Sequence, residues 1–419
     1  MKVLLSAYAC EPHRGSESEV GWQWSIGLAA MGHDTWVLTR ANNRPPIEQA
    51  LDGDAPAGLH FLYYDLPAWA RRWKRGGRGV HFYYLLWQLG AYRLARRVHA
   101  VENFDLVHHV TFVSARQPSF MGSLGIPFFF GPVAGGERAP WRLRWGYGWR
   151  GWLRDALRDV LNQVIRIDPL MRKTFRQATR IYATSEQTRQ LVPRRYREKT
   201  TVCLAVGLES ANRAGAADET ARETAAGDGG YRLIFVGQFL DLKGMHLGLR
   251  AVARATGDCP DLRITMVGGG PQEGRWRRLA DRLGIAERID WIPWTDQPTL
   301  DRIYRAHDVL LFPSLHDSGG MVVLEALSRG LPVVCLGIGG PAVIVDETCG
   351  RIIGVDGAGE RDVIEALMAA IIELHDVDVR SRLGRAARRR VSAFCWPRKL
   401  ADIYGDDASP LYSDGADVL

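Results

Sequence analysis

Short apolar segments alternate with amphipathic helical segments along most of the chain. The first such unit has a predicted strand over 3–7, a helix over 20–31 and a second strand over 35–39. Because a helical crossover returns the chain to the same sheet, this order predicts parallel pairing and an α/β fold. The same pattern predicts further strands over 106–110, 127–130, 180–183, 233–236, 263–267, 289–292, 309–312 and 333–336, and helices over 246–255, 272–283, 299–306, 321–328, 361–374 and 396–404.

The chain has 419 residues, which is too long for one ordinary core, so two domains are expected. A segment over 207–230 is rich in Ala, Gly, Glu and Asp and has the composition of a linker. We predict one Rossmann-like domain over 1–204 and a second over 205–392. A C-terminal helix and tail over 393–419 are expected to pack back on the N-terminal domain.

Six cysteines are scattered without a C-x-x-C pair, which argues against a disulfide framework and a zinc site and fits a reducing cytosol. The apolar run at the amino end is too short for a signal peptide, and no window of 18 uninterrupted apolar residues follows. A net charge of +7 and a pI near 9.2 indicate an anionic partner: phosphate, nucleic acid or lipid head groups.

Two segments interleave basic and aromatic residues, and they suggest where a lipid partner would bind. Residues 66–98 contain no Asp or Glu, and 138–176 carry ten basic residues against three Asp. Basic, Trp-rich amphipathic helices are typical of interfacial membrane binding. The alternative is that these helices pack on their own sheet, and single-stranded nucleic acid would use similar residues but lacks a supporting motif. The aromatic residues are Trp69, Trp73, Phe82, Tyr83, Tyr84 and Trp87 in the first segment and Trp141, Trp145, Trp149 and Trp152 in the second.

The stretch from Asp308 to Pro332 has the strongest local signal for a binding site. An apolar strand ends at Pro313, a polar turn with glycines follows, and a helix begins near Met321. This geometry directs free backbone N–H groups at an anion. Asp317 and Glu325 lie on either side of the helix start, so both could reach a ligand bound there.

Other glycine-containing turns follow predicted strands. Lys243 comes after the Gly237 turn, at the edge where doubly wound domains bind ligands, and a lysine there can neutralise a phosphate. A solvated lysine at a helix start is the common alternative. The turn over 267–271 and the turn containing Gly15 and Ser16 are weaker signals of the same kind.

Taken in order, these motifs resemble the GT-B glycosyltransferases of family 4. The resemblance includes the GSE loop over 15–17, the Gly237–Lys243 turn, the VGGGP turn, the acid-x7-Glu pair and ALSRGLPVV. It implies two Rossmann-like doubly wound domains that face a central cleft. The N-terminal domain would bind the acceptor and the C-terminal domain the nucleotide-sugar.

The resemblance also implies an activity and residue roles. Members transfer a sugar from a nucleotide-diphosphate sugar with retention of configuration, usually without a metal, and no cofactor is expected. Lys243 would stabilise the diphosphate, Asp317 would face the sugar ring and Glu325 would accept from ribose hydroxyls, which makes these three the predicted catalytic residues. The predicted donor-binding set is Gly15, Ser16, Gly237, Gln238, Lys243, Ser318, Gly319, Gly320, Met321, Val322 and Glu325.

The chain departs from the family pattern at three places. Asp317 stands where the family usually has Glu, and Gln238 stands where it usually has Arg, so Lys243 lacks its usual second cation unless Arg138, His13 or another base replaces it. The segment over 131–137 lacks a frequent histidine. We name as acceptor-side candidates His109, Gly135, Gly136, Glu137 and Arg138.

We expect a retaining, metal-independent glycosyltransferase with a lipid-linked or polysaccharide acceptor in bacterial surface glycan synthesis. The protein would be cytoplasmic, or peripheral on the inner face of the plasma membrane, with an anionic membrane surface as a further partner and no nucleic acid. A non-catalytic GT-B protein that binds a nucleotide or partner, and a nucleotide-sugar epimerase, are the alternatives.

Overall fold

The computed structural model describes residues 1–12, 14–67, 79–112, 114–165, 167–209 and 230–405, without the side chain of Ser16. The chain divides into two compact units. The first contains the described residues of 1–136 and 160–207 and those from Trp396 onward. The second contains those of 137–159 and 208–395. We expected 137–159 to belong to the N-terminal domain, whereas the structure places it in the second unit.

The first unit is built on a parallel sheet of seven strands in the order β3-β2-β1-β4-β5-β6-β7. The strands are β1 (Lys2–Ser6), β2 (Asp34–Arg40), β3 (Leu59–Tyr64), β4 (Leu106–His109), β5 (Phe128–Val133), β6 (Arg180–Ala183) and β7 (Thr200–Val202). Its helices are α1 (Gly15–Ala30), α2 (Arg44–Leu51), α3 (Val80–Glu102), part of α4 (Trp149–Val164), α5 (Pro169–Gln177), α6 (Glu186–Leu191) and α14 (Trp396–Tyr404).

The second unit has a parallel sheet of six strands in the order β10-β9-β8-β11-β12-β13. The strands are β8 (Arg232–Val236), β9 (Arg263–Val267), β10 (Ile289–Ile292), β11 (Val309–Phe312), β12 (Val333–Leu336) and β13 (Gly350–Ile353). Its helices are the first part of α4, α7 (Met245–Ala255), α8 (Glu273–Leu283), α9 (Gln297–Arg305), α10 (Met321–Ser328), α11 (Pro341–Ile344), α12 (Glu360–Glu373) and α13 (Val377–Val391).

The two sheets confirm the predicted α/β class, because every pairing between strands is parallel. The predicted strands recur within a few residues of their expected limits, but β3, β7 and β13 were not predicted. All three lie at sheet edges, where one side of the strand lacks a partner and the sequence need not form a continuous apolar run. All six cysteines are free and buried, as expected without a disulfide framework.

Three aromatic residues of α3 are not available for the membrane contact predicted over 66–98. Tyr83, Tyr84 and Trp87 are buried in the core of the first unit, so this part of the helix packs on its own domain. Phe82 is 55% exposed. Trp69, Trp73 and the basic residues between them lie outside the described residues, as do most of the predicted linker and the end of the tail.

Helix α4 shows the opposite arrangement, with apolar side chains exposed and polar side chains buried. Trp149 and Trp152 are 71% and 53% exposed, whereas the side chain of Asp155 is 4% exposed. The exposed side also includes Leu153, Leu157, Val160, Leu161 and Val164. Within the described ranges, none of the helices combines the length and the apolar character of a membrane-spanning segment.

The C-terminal helix α14 belongs to the first unit through buried polar contacts. Lys399 is fully buried, and its ammonium donates to the carbonyl oxygens of Leu204, at 2.9 Å, and Val206. The hydroxyl of Tyr404 accepts from Trp24 Nε1 at 3.0 Å and contacts His108 Nδ1. Burial lowers the pKa of His108 to about 3, so this imidazole is neutral at physiological pH.

Replacing Tyr404 with Phe should destabilise the first unit by about 1–3 kcal/mol, because Trp24 and His108 would keep buried polar atoms without a partner. Urea unfolding of the full chain measures the loss. Tyr63→Phe, on the edge strand β3, is the matched control and should change stability by less than about 0.5 kcal/mol. Equal effects of the two substitutions would contradict this role for α14.

Candidate active site in the second unit

The candidate site lies where β8 and β11 end, since these strands are parallel neighbours and share a carboxyl edge. After β8 the chain passes Gly237 and forms a short turn over Asp241–Lys243. The Leu315 N–H, after β11, donates to the Leu242 carbonyl at 2.8 Å. Gly244 has φ +67°, and a Cβ there would lie 2.0 Å from the Pro313 carbonyl oxygen. The two strand exits are therefore held against each other.

Lys243 and Asp317 form an ion pair across these exits. Lys243 Nζ lies 2.6 Å from Asp317 Oδ2, and the two side chains are only 16% and 18% exposed. Burial acts to raise the pKa of Asp317, but Lys243 and two backbone N–H groups outweigh it and hold that pKa below its ordinary value. The Asp317 carboxylate is therefore charged at neutral pH.

The second carboxylate oxygen of Asp317 orders the turn before α10. Oδ1 accepts from the N–H groups of Gly319 at 3.1 Å and Gly320 at 2.8 Å. Gly320 has φ 68° and is the N-cap of α10. Since the first N–H groups of a helix lack partners inside it, Met321 and Val322 are the donors left to face a ligand. Asp317 therefore organises the helix start, in addition to the sugar contact predicted for it.

Ser318 lies in the same turn, against a second turn at Gly339 and Gly340. A Cβ at Gly339, whose φ is +68°, would lie 2.0 Å from the Asp317 carbonyl oxygen. The Gly340 N–H donates to that oxygen at 2.8 Å. This close approach requires glycine and fixes the position of the site turn.

Glu325 lies inside α10, half-buried, with its carboxylate held by neutral groups. Its oxygens accept from Gln297 Nε2 at 3.4 Å and from the Tyr304 hydroxyl at 3.1 Å. Burial raises the pKa of Glu325, although Arg329 opposes the rise. Such a carboxylate can accept further hydrogen bonds from ligand hydroxyls.

Gln238 follows Gly237 at the exit of β8, and its side chain is exposed. Gly237 has φ 151°, a conformation restricted to glycine, and its N–H donates to the Val267 carbonyl at 3.0 Å. Gly268 adjoins it: a Cβ there would lie 2.1 Å from the Gly237 oxygen. The two glycine turns, which were predicted separately, therefore contact each other where β8 and β9 end.

The sequence did not predict that residues 137–159 pack in the second unit. The Glu137 carbonyl accepts from His316 Nδ1 at 3.1 Å, and Gly148 N–H donates to Asp241 Oδ1 at 3.0 Å. Arg138 is 63% exposed and lies 3.3 Å from Asp159. The only sequence signal was a set of charged residues on the polar side of an amphipathic helix, which ordinarily faces solvent.

The remaining predicted residues lie in the first unit. Gly15 begins α1 with φ 66°. Gly136 N–H donates to Thr188 Oγ1 at 3.1 Å, and the Gly135 carbonyl accepts from Asn162 at 3.0 Å. The side chain of Ser16, and His13, lie outside the described residues. A donor contact from Gly15 or Ser16 stays a prediction.

His109, the acceptor-side candidate on β4, is 1% exposed in the core of the first unit. Its Nε2 lies 2.8 Å from the Tyr84 hydroxyl and its Nδ1 2.8 Å from Ser119 Oγ. Burial lowers its pKa to about 4. Contact with an acceptor would require these core bonds to break, so we leave His109 out of the proposed site.

Known proteins resemble this chain in sequence and in fold. Residues 217–390 match the family described as Glycosyl transferases group 1. The D-inositol 3-phosphate glycosyltransferase of Corynebacterium diphtheriae is 34% identical over 187 residues, which is 42% of this chain and 42% of that protein. The aligned part therefore spans less than half of that relative.

Two solved structures resemble the chain over nearly its whole length. WaaG, a glycosyltransferase involved in lipopolysaccharide biosynthesis, has a TM-score of 0.57 at 18% identity and covers 96% of this chain and 99% of its own. Anabaena Alr3699/HepE, in complex with UDP and glucose, has a TM-score of 0.57 at 15% identity and covers 97% and 100%. Residues 217–390 thus match the glycosyl transferases group 1 family, and the chain has the GT-B fold of these structures.

Proposed function

We propose that the protein is a retaining, metal-independent glycosyltransferase that uses a nucleotide-diphosphate sugar and a lipid-linked or polysaccharide acceptor. The observation that carries this proposal is the Lys243–Asp317 ion pair beside the start of α10, with Glu325 inside the same helix. A cation and helix N–H groups can bind a diphosphate, and a carboxylate that can accept further hydrogen bonds can bind sugar hydroxyls.

In this proposal the diphosphate replaces Asp317 as the ion-pair partner of Lys243 when the donor binds. Lys243 and the N–H groups of Met321 and Val322 then stabilise the negative charge that grows on the leaving diphosphate. Glu325 accepts hydrogen bonds from ribose hydroxyls, and Asp317 keeps the turn in place while it approaches the sugar. Positive charge from the chain itself supports a reaction without a metal. Retention of configuration rests on the family resemblance.

The comparisons support the donor class more strongly than the acceptor. All three proposed catalytic residues fall within the matched segment 217–390. UDP is the first nucleotide to test, because HepE has a structure with UDP and glucose. WaaG is described as acting in lipopolysaccharide biosynthesis, which supports testing a lipid-linked surface glycan as acceptor.

Glu325→Gln should lower kcat/KM for sugar transfer by about 10- to 100-fold, because a charged acceptor of ribose hydroxyls becomes neutral. The assay follows transfer or hydrolysis of labelled UDP- and GDP-sugars. Glu273→Gln, an exposed residue on α8 paired with Arg277, is the matched control and should retain activity. Tight nucleotide binding by the wild type without any turnover would favour the non-catalytic alternative, and sugar interconversion without an acceptor would favour the epimerase.

The affinity for UDP should fall as pH is lowered through the raised pKa of Glu325, because the ionised carboxylate accepts from the ribose hydroxyls more strongly than the protonated acid does. The pKa of Glu325 is raised above its ordinary value of 4.5, so the affinity for UDP begins to fall at a higher pH than it would with an exposed glutamate. Calorimetric titration at a series of pH values measures it. The Glu325→Gln variant lacks this part of the pH dependence and keeps only the part that comes from titration of the phosphate of UDP. Parallel pH profiles for both proteins would contradict the assignment.

The exposed side of α4 and the segment before it support a membrane-surface location for this activity. We call this surface the Trp face: Trp141, Trp145, Trp149, Trp152, Leu153 and Leu157, which are 53–74% exposed. Arg142 and Arg150 lie beside it, stacked on Trp141 and Trp149 at 5.4 and 5.1 Å. Tryptophan with arginine matches the apolar and anionic parts of a phospholipid interface. We propose peripheral binding to an anionic leaflet on the cytoplasmic side.

Co-sedimentation with phosphatidylserine–phosphatidylcholine vesicles tests this surface. The double variant Trp149→Ser/Trp152→Ser should reduce binding by at least about tenfold, since two large side chains no longer enter the interface. Trp294→Ser, which removes a residue that is 75% exposed elsewhere in the same unit, should bind as wild type. Absence of wild-type binding at low salt, or equal loss in the control, would overturn the membrane proposal.

A further inference from the structure

The outer side of helix α8 carries three arginines, which we call the arginine row. Arg275, Arg278 and Arg282 stand at positions i, i+3 and i+7 of this helix, so they share one face, and all three are exposed. Trp276, on the opposite side, is buried and fixes the orientation of the helix. Together with the carboxylate of Asp281, the three arginines line a cavity of about 490 Å³. The row therefore faces solvent, where a ligand can reach it.

The arginine row is only partly neutralised by carboxylates. Arg275 Nη1 lies 3.5 Å from Asp241 Oδ1 in an ion pair. Arg278 and Arg282 form no ion pair with any described residue, although Asp281 lies between them in the sequence. Two long side chains with free charged ends can therefore reach an anionic partner outside the helix.

The arginine row adjoins the Trp face within the second unit. Arg275 Nη2 donates to the Gly146 carbonyl at 3.2 Å, and Gly146 directly follows Trp145, which is 74% exposed. Gly148 N–H donates to Asp241 Oδ1 at 3.0 Å, and Arg275 pairs with the same carboxylate. These contacts hold the start of α8 against the segment that leads into α4.

The two adjoining surfaces together have the chemistry of a protein that binds an anionic bilayer. Arg142, Arg150 and Arg154 are exposed on or beside the Trp face, and the arginine row adds three more guanidinium groups. Exposed tryptophans enter the head-group region, and nearby arginines bind lipid phosphates. A soluble polyanion would complement the charge and leave the apolar side chains in water, so anionic phospholipid is the occupant that fits both surfaces.

We propose that the arginine row binds the phosphate groups of anionic phospholipids in the leaflet that the Trp face enters. The inference rests on the membrane location proposed above, which assigned insertion to the Trp face. It assigns electrostatic attraction to α8, a helix that lies outside both basic, aromatic segments of the sequence. Arg275 joins the row to the Trp face, while Arg278 and Arg282 contact the head groups.

Co-sedimentation of the full chain with phosphatidylserine–phosphatidylcholine vesicles at low salt tests the arginine row. Arg278→Gln/Arg282→Gln should weaken vesicle binding by about tenfold or more, because each arginine near an anionic leaflet contributes about fivefold. Arg385→Gln/Arg389→Gln is the matched control, since it removes two exposed arginines at the same spacing from α13 and changes the net charge equally. The control should bind as wild type.

High salt separates the arginine row from the Trp face. In about 1 M salt, where the Debye length falls to about 3 Å, Arg278→Gln/Arg282→Gln should bind vesicles as the wild type does, because screening removes the contribution of the row. Trp149→Ser/Trp152→Ser should stay weaker than the wild type there.

Two outcomes at low salt would overturn the role of the arginine row and leave the Trp face in place. They are wild-type binding by Arg278→Gln/Arg282→Gln, and an equal loss in Arg385→Gln/Arg389→Gln. Absence of vesicle binding by the wild type would overturn the membrane location itself, and this inference with it.

Discussion

The ion pair between Lys243 and Asp317 is the interaction on which the candidate site depends. It joins the exits of two adjacent parallel strands, β8 and β11, and the same aspartate orders the N-terminal turn of α10 through two backbone N–H groups. A lysine held this way is already desolvated and positioned before a ligand arrives, so little reorganisation is needed for it to meet a phosphate. Glycines at 244 and 339 permit the close backbone approaches that keep these loops together.

Much of this architecture could be predicted because its causes are local in sequence. The strand over 309–312 and the helix over 321–328 each depend on a run of apolar residues, and Gly320 marks the helix start. The positions of Lys243, Asp317 and Glu325 then follow from topology, because parallel strands end at one edge of a sheet. For these elements, local sequence patterns were sufficient to predict the structure.

The parts that could not be predicted depend on packing between distant segments. Trp87 and Trp149 both lie among basic residues in amphipathic helices, yet one is fully buried and the other is 71% exposed. A hydrophobic pattern shows that a helix has two sides, but it does not show which side meets the rest of the protein. The polar, inward side of α4 and the attachment of 137–159 to the second unit could be seen only in the structure.

Helices α4 and α8 carry the two parts of the proposed membrane surface. The Trp face offers apolar and aromatic groups outward, and the inward side of α4 holds Arg144, Asp155, Arg158 and Asp159. Arg275 of α8 contacts the backbone of the segment that precedes α4, which brings the arginine row beside the Trp face. Insertion and electrostatic attraction are thus assigned to different side chains of the second unit.

We propose that the second unit binds a nucleoside diphosphate through the groups at the start of α10. Isothermal titration of the wild-type chain with UDP, GDP and ADP, each beside its nucleoside, tests this claim most directly. We expect saturable, one-to-one binding of at least one diphosphate, more than about tenfold tighter than its nucleoside because Lys243 and the helix N–H groups contact phosphate. If every diphosphate bound no more tightly than its nucleoside, the account would be contradicted.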